Sequence, residues 1–357
     1  MTAPTPGDPD RGGRPLVSVV IATHERPDLL LRCVTALVAQ EFDRSAYEVI
    51  VVDDGSAEGA RRATEAALAR LADGTHGAGN ATTAVAARAS NPTARPIVRY
   101  VYRPRNAGPA AARNVGWRMA RGAVIAFTDD DTVPLADWLR EGLAALGRGF
   151  DAVGGRIEVP LPDVPTDYEL DAAGLEQAVF ATANCFVRRP YLEATGGFDE
   201  RFRSAWREDT DLHFSLQARG ARMGMAPAAR VVHPVRPAHW GVSLAQQRKV
   251  MFDALLYKKF PQWYRAYVRR TPPWTYYAIV AAGTWSLAAA AQGNARATLA
   301  GLAVWIALAV RFALRRLART SRNPSHVAEM AWTSLWIPWL SVYWRLRGAM
   351  RFRVWFV

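Results

Sequence analysis

Residues 123–131 read "AVIAFTDDD", an uninterrupted apolar run that ends in three adjacent carboxylates. A run that is rich in Val, Ile and Phe, without polar alternation, is typical of a strand buried on both faces. Adjacent carboxylates repel one another, and their burial costs several kcal/mol unless a cation or hydrogen-bond donors neutralise them. The stretch therefore predicts a central strand whose carboxyl end meets a charge-neutralising partner.

Three earlier stretches have the same apolar character. They are "LVSVVIAT" at 16–23, "YEVIVVDD" at 47–54 and "IVRYVYR" at 97–103, and helical patterns separate them. Strands that alternate with helices are typical of a parallel sheet covered on both faces, and ligands bind beyond the carboxyl ends of its strands. We therefore expect the acidic ends of the second and fourth strands to meet at one edge of the sheet.

The alternation weakens after residue 150. Shorter strands are expected at 151–160, 181–189 and 223–234, with a helix at 209–220 before the last of them. This half is expected to extend the sheet and to form the second wall of a cleft.

The positive charge of the chain is concentrated in its last third. Residues 1–245 carry 28 Lys+Arg and 30 Asp+Glu, whereas residues 246–357 carry 17 basic and two acidic residues and nine of the 13 tryptophans. Basic residues mixed with Trp and Tyr suit nucleic acid or an anionic membrane surface. The uncharged stretches at 271–295 and 297–310 do not suit the tracking of phosphates, so no nucleic acid partner is expected.

Two helices at 273–292 and 297–314 are candidate transmembrane crossings. A helix of about 20 apolar residues spans roughly 30 Å, the thickness of a bilayer core. Basic residues flank both outer ends, and the connection holds only Arg296, which places both flanks on the cytoplasmic side. Two buried helices in a soluble domain are the alternative. Residues 330–344, which are Trp-rich and interrupted by Pro338, are expected to lie in the headgroup layer. A third crossing is the alternative for this segment.

The remaining features concern organisation and redox state. Cys33 and Cys185 lie far apart without ligand-like spacing, which favours reduced residues of a cytoplasmic protein over a disulfide. The N-terminus is too polar and too rich in Pro and Gly for a secretory signal.

The predicted parts of the chain are a disordered lead at 1–14, a catalytic domain at 15–240 with a flexible insertion at about 73–95, and a helical membrane-associated region at 241–357.

The acidic end of the fourth strand suits a metal ion. Hard divalent cations such as Mg²⁺ and Mn²⁺ take oxygen ligands and are often completed by substrate phosphates. In an extended segment Asp129 and Asp131 point the same way while Asp130 points elsewhere. Two carboxylates could therefore hold one ion while Asp130 supports the turn. The alternative is a solvated turn in which an Asp caps the next helix.

Five segments carry a resemblance to a known family. In order they are "PLVSVVIATHERPDLL", "EVIVVDDGS", "NAGPAAARNVGWRMARGAVIAFTDDD", "ATGGFDERF" and "REDTDLHFSLQARG". The chain over residues 15–236 resembles the family-2 glycosyltransferases with the GT-A fold, an α/β fold with a mostly parallel, Rossmann-like sheet flanked by helices. The resemblance implies an inverting enzyme that moves a sugar from a nucleotide-sugar donor, a UDP- or GDP-sugar, with Mn²⁺ or Mg²⁺ as cofactor.

The resemblance also implies roles for individual residues. The catalytic base would be Asp209, and the metal would be held by Asp129, Asp131 and His233. The nucleotide-sugar would be bound by Thr23, Glu25, Asp53, Asp54, Arg113 and Asp130. The acceptor side would hold Gly197, Phe198, Trp206 and Glu208. Alternative roles are a structural loop position for His233, a core position for Phe198 and a cleft-wall position for Trp206. For Asp209 the alternative is an acidic residue at a helix start, where it would stabilise the helix dipole.

Two other functions compete with this interpretation. A nucleotidyltransferase also uses acidic metal ligands, but "THERPD" at 23–28 stands where its Gly-rich, basic triphosphate loop would be. A catalytically silent sugar-nucleotide-binding membrane scaffold would not need Asp54, Asp131 and Asp209 together. The hairpin favours a lipid-linked or cell-envelope glycan acceptor, with the enzyme at the cell membrane and its catalytic domain in the cytoplasm.

Overall fold

The computed structural model describes residues 14–73 and 96–356. Apart from Arg14 and Asp73, the predicted disordered lead and the predicted insertion lie outside the described residues. The chain divides into two compact units. The first comprises Met1–Pro160 and Leu175–Pro234, and the second comprises Leu161–Gly174 and Val235–Val357. The sequence offered no signal that the short segment Leu161–Gly174 groups with the C-terminal residues.

The first unit contains one eight-stranded sheet, with the strand order β3-β2-β1-β4-β7-β6-β8-β5. The strands are β1 (Val17–Thr23), β2 (Tyr47–Asp54), β3 (Ile97–Arg103), β4 (Val124–Thr128), β5 (Val133–Pro134), β6 (Ala152–Glu158), β7 (Asn184–Arg188) and β8 (Met223–Val232). The first four strands pair in parallel. β7 pairs antiparallel with both β4 and β6, so the sheet is mixed beyond β4.

Helices follow the strands in the first unit and make up most of the second. In chain order they are α1 (Pro27–Val38), α2 (Glu58–Asp73), α3 (Pro109–Met119), α4 (Trp138–Gly147), α5 (Asp167–Ala173), α6 (Arg189–Thr195), α7 (Glu208–Ala218), α8 (Val242–Gln246), α9 (Met251–Lys259), α10 (Pro261–Trp263), α11 (Trp274–Ala291), α12 (Ala295–Leu317) and α13 (Pro324–Phe352).

The apolar runs of the sequence form the centre of the sheet. Every residue of β2 and β4 is buried, as expected for strands covered on both faces. Ile50 and Phe127 belong to a core cluster that also includes Leu212 of α7. The parallel register aligns Thr23 of β1 with Asp53 of β2. The carboxyl ends of these strands therefore share one edge of the sheet.

A short pairing outside the parallel half positions one more residue at this edge. β5 pairs antiparallel with the end of β8, with Val133 opposite Val232. The pairing places His233, the residue after β8, beside the acidic turn that precedes β5. The local strand alternation of the sequence did not reveal this contact, because β5 is only two residues long.

The second unit contains the predicted membrane segments. One helix among the described residues, α12, is long and apolar enough to cross a membrane, and most of its apolar stretch is exposed. It contains the predicted crossing at 297–314. The other predicted crossing corresponds to α11, which does not meet the same criterion. The two-crossing hairpin therefore stays a prediction.

Pro338 lies inside α13, which runs continuously through this residue. Proline removes the one backbone N–H that would bond to the carbonyl of Ser334, which usually kinks or ends a helix. The side chains on either side are buried, including Ser334, Ile337 and Ser341. Tertiary packing on both sides of the missing hydrogen bond holds the helix together.

Candidate active site

The acidic turn after β4 is held by its own threonines. Thr132 is fully buried, and its Oγ1 donates a 2.8 Å hydrogen bond to the carbonyl oxygen of Asp129. Thr128 Oγ1 lies 2.6 Å from Thr132 Oγ1. This bonding fixes the backbone that carries the three carboxylates. The role of Thr132 was missed, although a Thr directly after an acidic run is a common turn signal.

Two of the three carboxylates converge with a histidine. Asp129, Asp131 and His233 each offer a ligand atom, and these atoms lie within 4.8 Å of one another. His233 Nε2 is 3.3 Å from Asp131 Oδ1. Two carboxylates and a neutral imidazole are a competent ligand set for a divalent cation. The Asp129 side chain is 27 % exposed, which leaves room for water or substrate oxygens to complete such a site.

The third carboxylate turns away from this cluster. Asp130 accepts a 2.8 Å hydrogen bond from Thr23 Oγ1 and a 3.1 Å hydrogen bond from Arg26 Nη1. Burial raises the pKa of Asp130 to about 6, although Arg26 opposes this effect. Arg26 also lies 4.0 Å from Asp131. The sequence prediction omitted Arg26, although it stands in the loop after β1, at the same edge of the sheet.

Arg113 of α3 connects the acidic turn to α7. Its guanidinium is buried and contacts Asp129 at 2.7 Å and Glu208 at 3.1 Å. Burial alone would lower the pKa of Arg113, but the two carboxylates outweigh it and raise that pKa above its ordinary value. The arginine therefore stays charged and balances carboxylates from two different elements.

The start of α7 carries two acidic residues in unusual surroundings. Burial, reinforced by the charge of Asp209, raises the pKa of Glu208 above its ordinary value. Loss of hydration also raises the pKa of Asp209, although hydrogen bonds from Thr210 oppose the shift. Asp209 Oδ1 accepts these bonds, at 2.6 Å from Thr210 N and 3.2 Å from Thr210 Oγ1. Among the described residues Oδ2 has no hydrogen-bond partner, so it can accept a proton from a ligand.

The carboxylates at the end of β2 hold the neighbouring loops. Asp53 accepts hydrogen bonds from Ser56 N at 2.9 Å and from Tyr100 Oη at 2.6 Å. Asp54 pairs with Arg103 and accepts a 2.6 Å hydrogen bond from Gly108 N. Both carboxylates are buried. They order this edge of the sheet, and their contact with a nucleotide stays a prediction.

Glu25 ties the loop after β1 to the loop after β2. Its Oε1 accepts a 2.5 Å hydrogen bond from Ala57 N, and its own N–H donates to Ser56 Oγ at 2.8 Å. Glu25 has a φ of +57°, a left-handed conformation that is uncommon outside glycine. Two cross-loop hydrogen bonds stabilise this conformation.

The segment predicted for the acceptor side is held against α3. Phe198 is 4 % exposed and lies edge-on against Phe127, with 5.2 Å between the ring centroids, which favours its core alternative. Asn114 Oδ1 accepts from Phe198 N at 2.9 Å, and Asn114 Nδ2 donates to Phe198 O at 2.8 Å. Trp206 is partly exposed, and the Arg207 guanidinium lies 4.5 Å from its ring centroid.

Gly196 and Gly197 offer a matched test of this packing. Both have positive φ, but a Cβ on Gly196 would meet nothing within 4 Å, whereas one on Gly197 would lie 2.5 Å from Asn114 Oδ1 and 2.4 Å from Trp117 Nε1. We expect Gly196→Ala to cost about 1–2 kcal/mol of unfolding free energy. Gly197→Ala should cost a further ~1–3 kcal/mol from overpacking. Urea unfolding checks this difference, and equal losses in the two variants would contradict it.

Comparisons with known proteins identify the family of the chain. The family model described as glycosyl transferase family 2 matches residues 18–190, and the model described as glycosyl transferase family group 2 matches residues 124–314, more than half of the chain. Glycosyltransferase AglE of Haloferax volcanii is 29 % identical over 248 residues, which are 66 % of this chain and 72 % of that protein. The succinoglycan biosynthesis protein ExoO of Rhizobium meliloti is 30 % identical over 247 residues, 62 % of this chain and 61 % of that protein.

A solved structure shares the fold. The mannosyltransferase PcManGT from Pyrobaculum calidifontis, in complex with GDP-Man and Mn²⁺, superimposes with a TM-score of 0.54 at 20 % identity and covers 96 % of this chain and 90 % of that chain. The mixed sheet flanked by helices is the GT-A fold that the sequence predicted. The chain belongs to glycosyltransferase family 2, and the protein is a glycosyltransferase.

Proposed function

We propose that the protein transfers a sugar from a UDP- or GDP-sugar donor with inversion, assisted by Mn²⁺ or Mg²⁺. The observation that carries this proposal is the convergence of Asp129, Asp131 and His233 within 4.8 Å at the carboxyl edge of the sheet. The solved relative in complex with GDP-Man and Mn²⁺ supports a diphosphate donor and a divalent ion. The ion would stabilise the negative charge that develops on the leaving diphosphate.

The residues around the metal ligands are proposed to bind the donor. Arg113 and Arg26 already neutralise part of the acidic turn, through Asp129 and Asp130. This partial compensation lets the three carboxylates coexist before a donor arrives and leaves a negative site for a cation. The proposed donor contacts are Thr23, Glu25, Asp53, Asp54, Arg113 and Asp130.

Asp209 is proposed to act as the base. Its carboxylate would take the proton of an acceptor hydroxyl as the hydroxyl oxygen bonds to the anomeric carbon. The bond from that carbon to the diphosphate breaks on the opposite face, and this single displacement inverts the configuration. The raised pKa of Asp209 brings its basicity closer to neutral pH, where a general base is most effective. Glu208, Gly197, Phe198 and Trp206 would lie on the acceptor side.

The acceptor is proposed to be a lipid-linked or cell-envelope glycan at the cytoplasmic face of the cell membrane. The apolar α12 and the basic C-terminal third support a membrane-associated region at 241–357, beside a catalytic domain at 15–240. In this proposal 273–292 and 297–314 cross the bilayer and 330–344 lies in the headgroup layer. The relative that is named for succinoglycan biosynthesis supports a glycan product.

Donor binding is the direct test of this proposal. A panel of nucleotide sugars is added to the full chain in neutral detergent with and without Mn²⁺, and thermal unfolding is followed. A true donor at about 100 times its Kd should add roughly 2.7 kcal/mol to the unfolding free energy, and only when Mn²⁺ is present. Nucleoside monophosphates serve as the control. Absence of any metal-dependent stabilisation across UDP- and GDP-sugars would reject the donor class.

A further inference from the structure

A cavity of about 760 Å³ lies within the second unit. It is formed by the beginning of α11, the end of α12 and the segment that contains α5. Its charged lining residues are one carboxylate, Asp167, and five arginines, which are Arg269, Arg270, Arg315, Arg316 and Arg319. None of these residues belongs to the proposed donor site.

One arginine of the cavity is already fully engaged. Arg316 Nη2 donates to Asp167 Oδ2 at 2.6 Å, and its Nη1 donates to Thr333 Oγ1 at 2.6 Å. The Arg316 side chain is 9 % exposed, so this pair belongs to the wall of the cavity. Because Asp167 is neutralised by Arg316, the described residues of the wall present no free carboxylate to repel an anion.

The other four arginines are available to a ligand. Arg269, Arg270, Arg315 and Arg319 are exposed. Across the described ranges, no ion pair or side-chain hydrogen bond engages their guanidinium groups. Four like charges around one cavity repel one another, and a bound anion with several oxygens would relieve the repulsion. The cavity is therefore built for an oxyanion.

The surroundings of the cavity are apolar, which indicates that the bound oxyanion belongs to a molecule with an apolar part. Trp274, Tyr276 and Phe312 line the cavity beside the arginines. Along α12, Val310 is 50 % exposed and Leu314 is 59 % exposed, and these residues lead away from the cavity toward the other end of the helix. Aromatic and basic residues at one end of an exposed apolar helix match the headgroup level of a bilayer.

We propose that this cavity binds the phosphate head group of an anionic lipid. The guanidinium groups of Arg315 and Arg319 from α12, and of Arg269 and Arg270 before α11, contact the phosphate oxygens. The acyl chains follow the exposed apolar side of α12. A phosphate without acyl chains would use the arginines but not the apolar side chains, so the site prefers the lipid. This site does not depend on the proposed donor or on the metal.

Native mass spectrometry of the full chain in neutral detergent tests the proposal. Phosphatidylglycerol or phosphatidylcholine is added, and the lipid retained per chain is counted. The test variant is Arg315→Gln/Arg319→Gln. The control is Arg296→Gln/Arg351→Gln, which removes the same charge from exposed positions of α12 and α13 outside the cavity. All four side chains are exposed, so both variants should fold.

We expect the wild type and the control to retain one phosphatidylglycerol and the test variant to bind it about 30-fold more weakly. Equal loss in both variants would mean that the surface charge acts diffusely. Equal retention of phosphatidylcholine, whose choline cation offsets its phosphate, would mean that the site does not select the net negative charge of the head group. Either outcome would overturn the proposal. Inorganic pyrophosphate is the third probe: displacement of the lipid at equal concentration would assign the cavity to a soluble phosphate and reject the lipid.

Discussion

Replacing Asp209 with asparagine should lower kcat by about 10²- to 10⁴-fold, the usual contribution of a general base. Asparagine keeps an oxygen that can accept the two hydrogen bonds from Thr210, so the start of α7 should keep its structure. It cannot take a proton from an acceptor hydroxyl. Steady-state transfer from the donor that the thermal panel identifies measures the effect. Asp137→Asn, at a partly exposed position beside Arg140, is the matched control and should transfer at the wild-type rate.

The pH dependence separates catalysis by Asp209 from a structural role. Because burial raises its pKa, wild-type kcat/KM should fall as the pH drops through a value above the ordinary carboxyl range. The residual rate of Asp209→Asn should lack this limb. The contribution of Asp209 to stability changes with pH in the opposite direction to its contribution to activity. A carboxyl group whose pKa is raised in the folded state lowers the stability of that state as the pH rises and the group ionises. Asp209→Asn should therefore be at least as stable as the wild type at neutral pH. A residual rate of Asp209→Asn that keeps this limb would contradict the base role, and an unfolded variant would contradict the expected stability.

Replacing Asp131 with asparagine should reduce transfer by about 10³-fold, comparable to loss of a principal electrostatic contact in the transition state. Asp131 is buried and faces His233 at 3.3 Å, and the substitution removes one of two negative charges that would hold the cation. The concentration of Mn²⁺ required for half-maximal activity should rise accordingly. Direct titration of Mn²⁺ by electron paramagnetic resonance checks the binding itself.

For Asp131→Asn, weaker binding of the metal must be distinguished from a change in the structure of the acidic turn after β4. Thr132 and Thr128 hold the turn backbone without the Asp131 side chain, so thermal stability of Asp131→Asn in the absence of metal should match the wild type. Asp137→Asn again serves as control, six residues further along the same segment. Wild-type affinity for Mn²⁺ in Asp131→Asn would remove this carboxylate from the ligand set.

The central sheet could be predicted because its strands are continuous apolar runs, and burial on both faces requires such runs. The acidic strand ends could be located for the same reason. Arg26 and its partner Asp130 are 104 residues apart in the sequence, and Arg113 and its partner Glu208 are 95 residues apart. Side-chain pairs this distant leave no periodic signal. The position of His233 beside Asp131 also depends on a two-residue strand, which is too short for any pattern.

In the C-terminal third, prediction from the sequence is limited for a different reason. Its charge asymmetry and apolar stretches predicted helices, and α11 and α12 match them closely. Pro338 lies inside the last helix, although local propensity disfavours proline within helices. Packing of the buried side chains around it overrides that propensity. Local rules fail where tertiary contacts carry more free energy than the local preference.

The contacts of Asn114 bear on how the enzyme could be re-engineered. Its amide binds both backbone groups of Phe198, accepts from Trp117 Nε1 at 2.8 Å, and donates to Glu200 at 2.8 Å. Segment 197–200 and α3 should therefore be exchanged together when a chimaera with a homologue is made. A chimaera that imports only the loop of a homologue would inherit mismatched partners and misfold locally, whereas one that transplants the helix with it should remain intact.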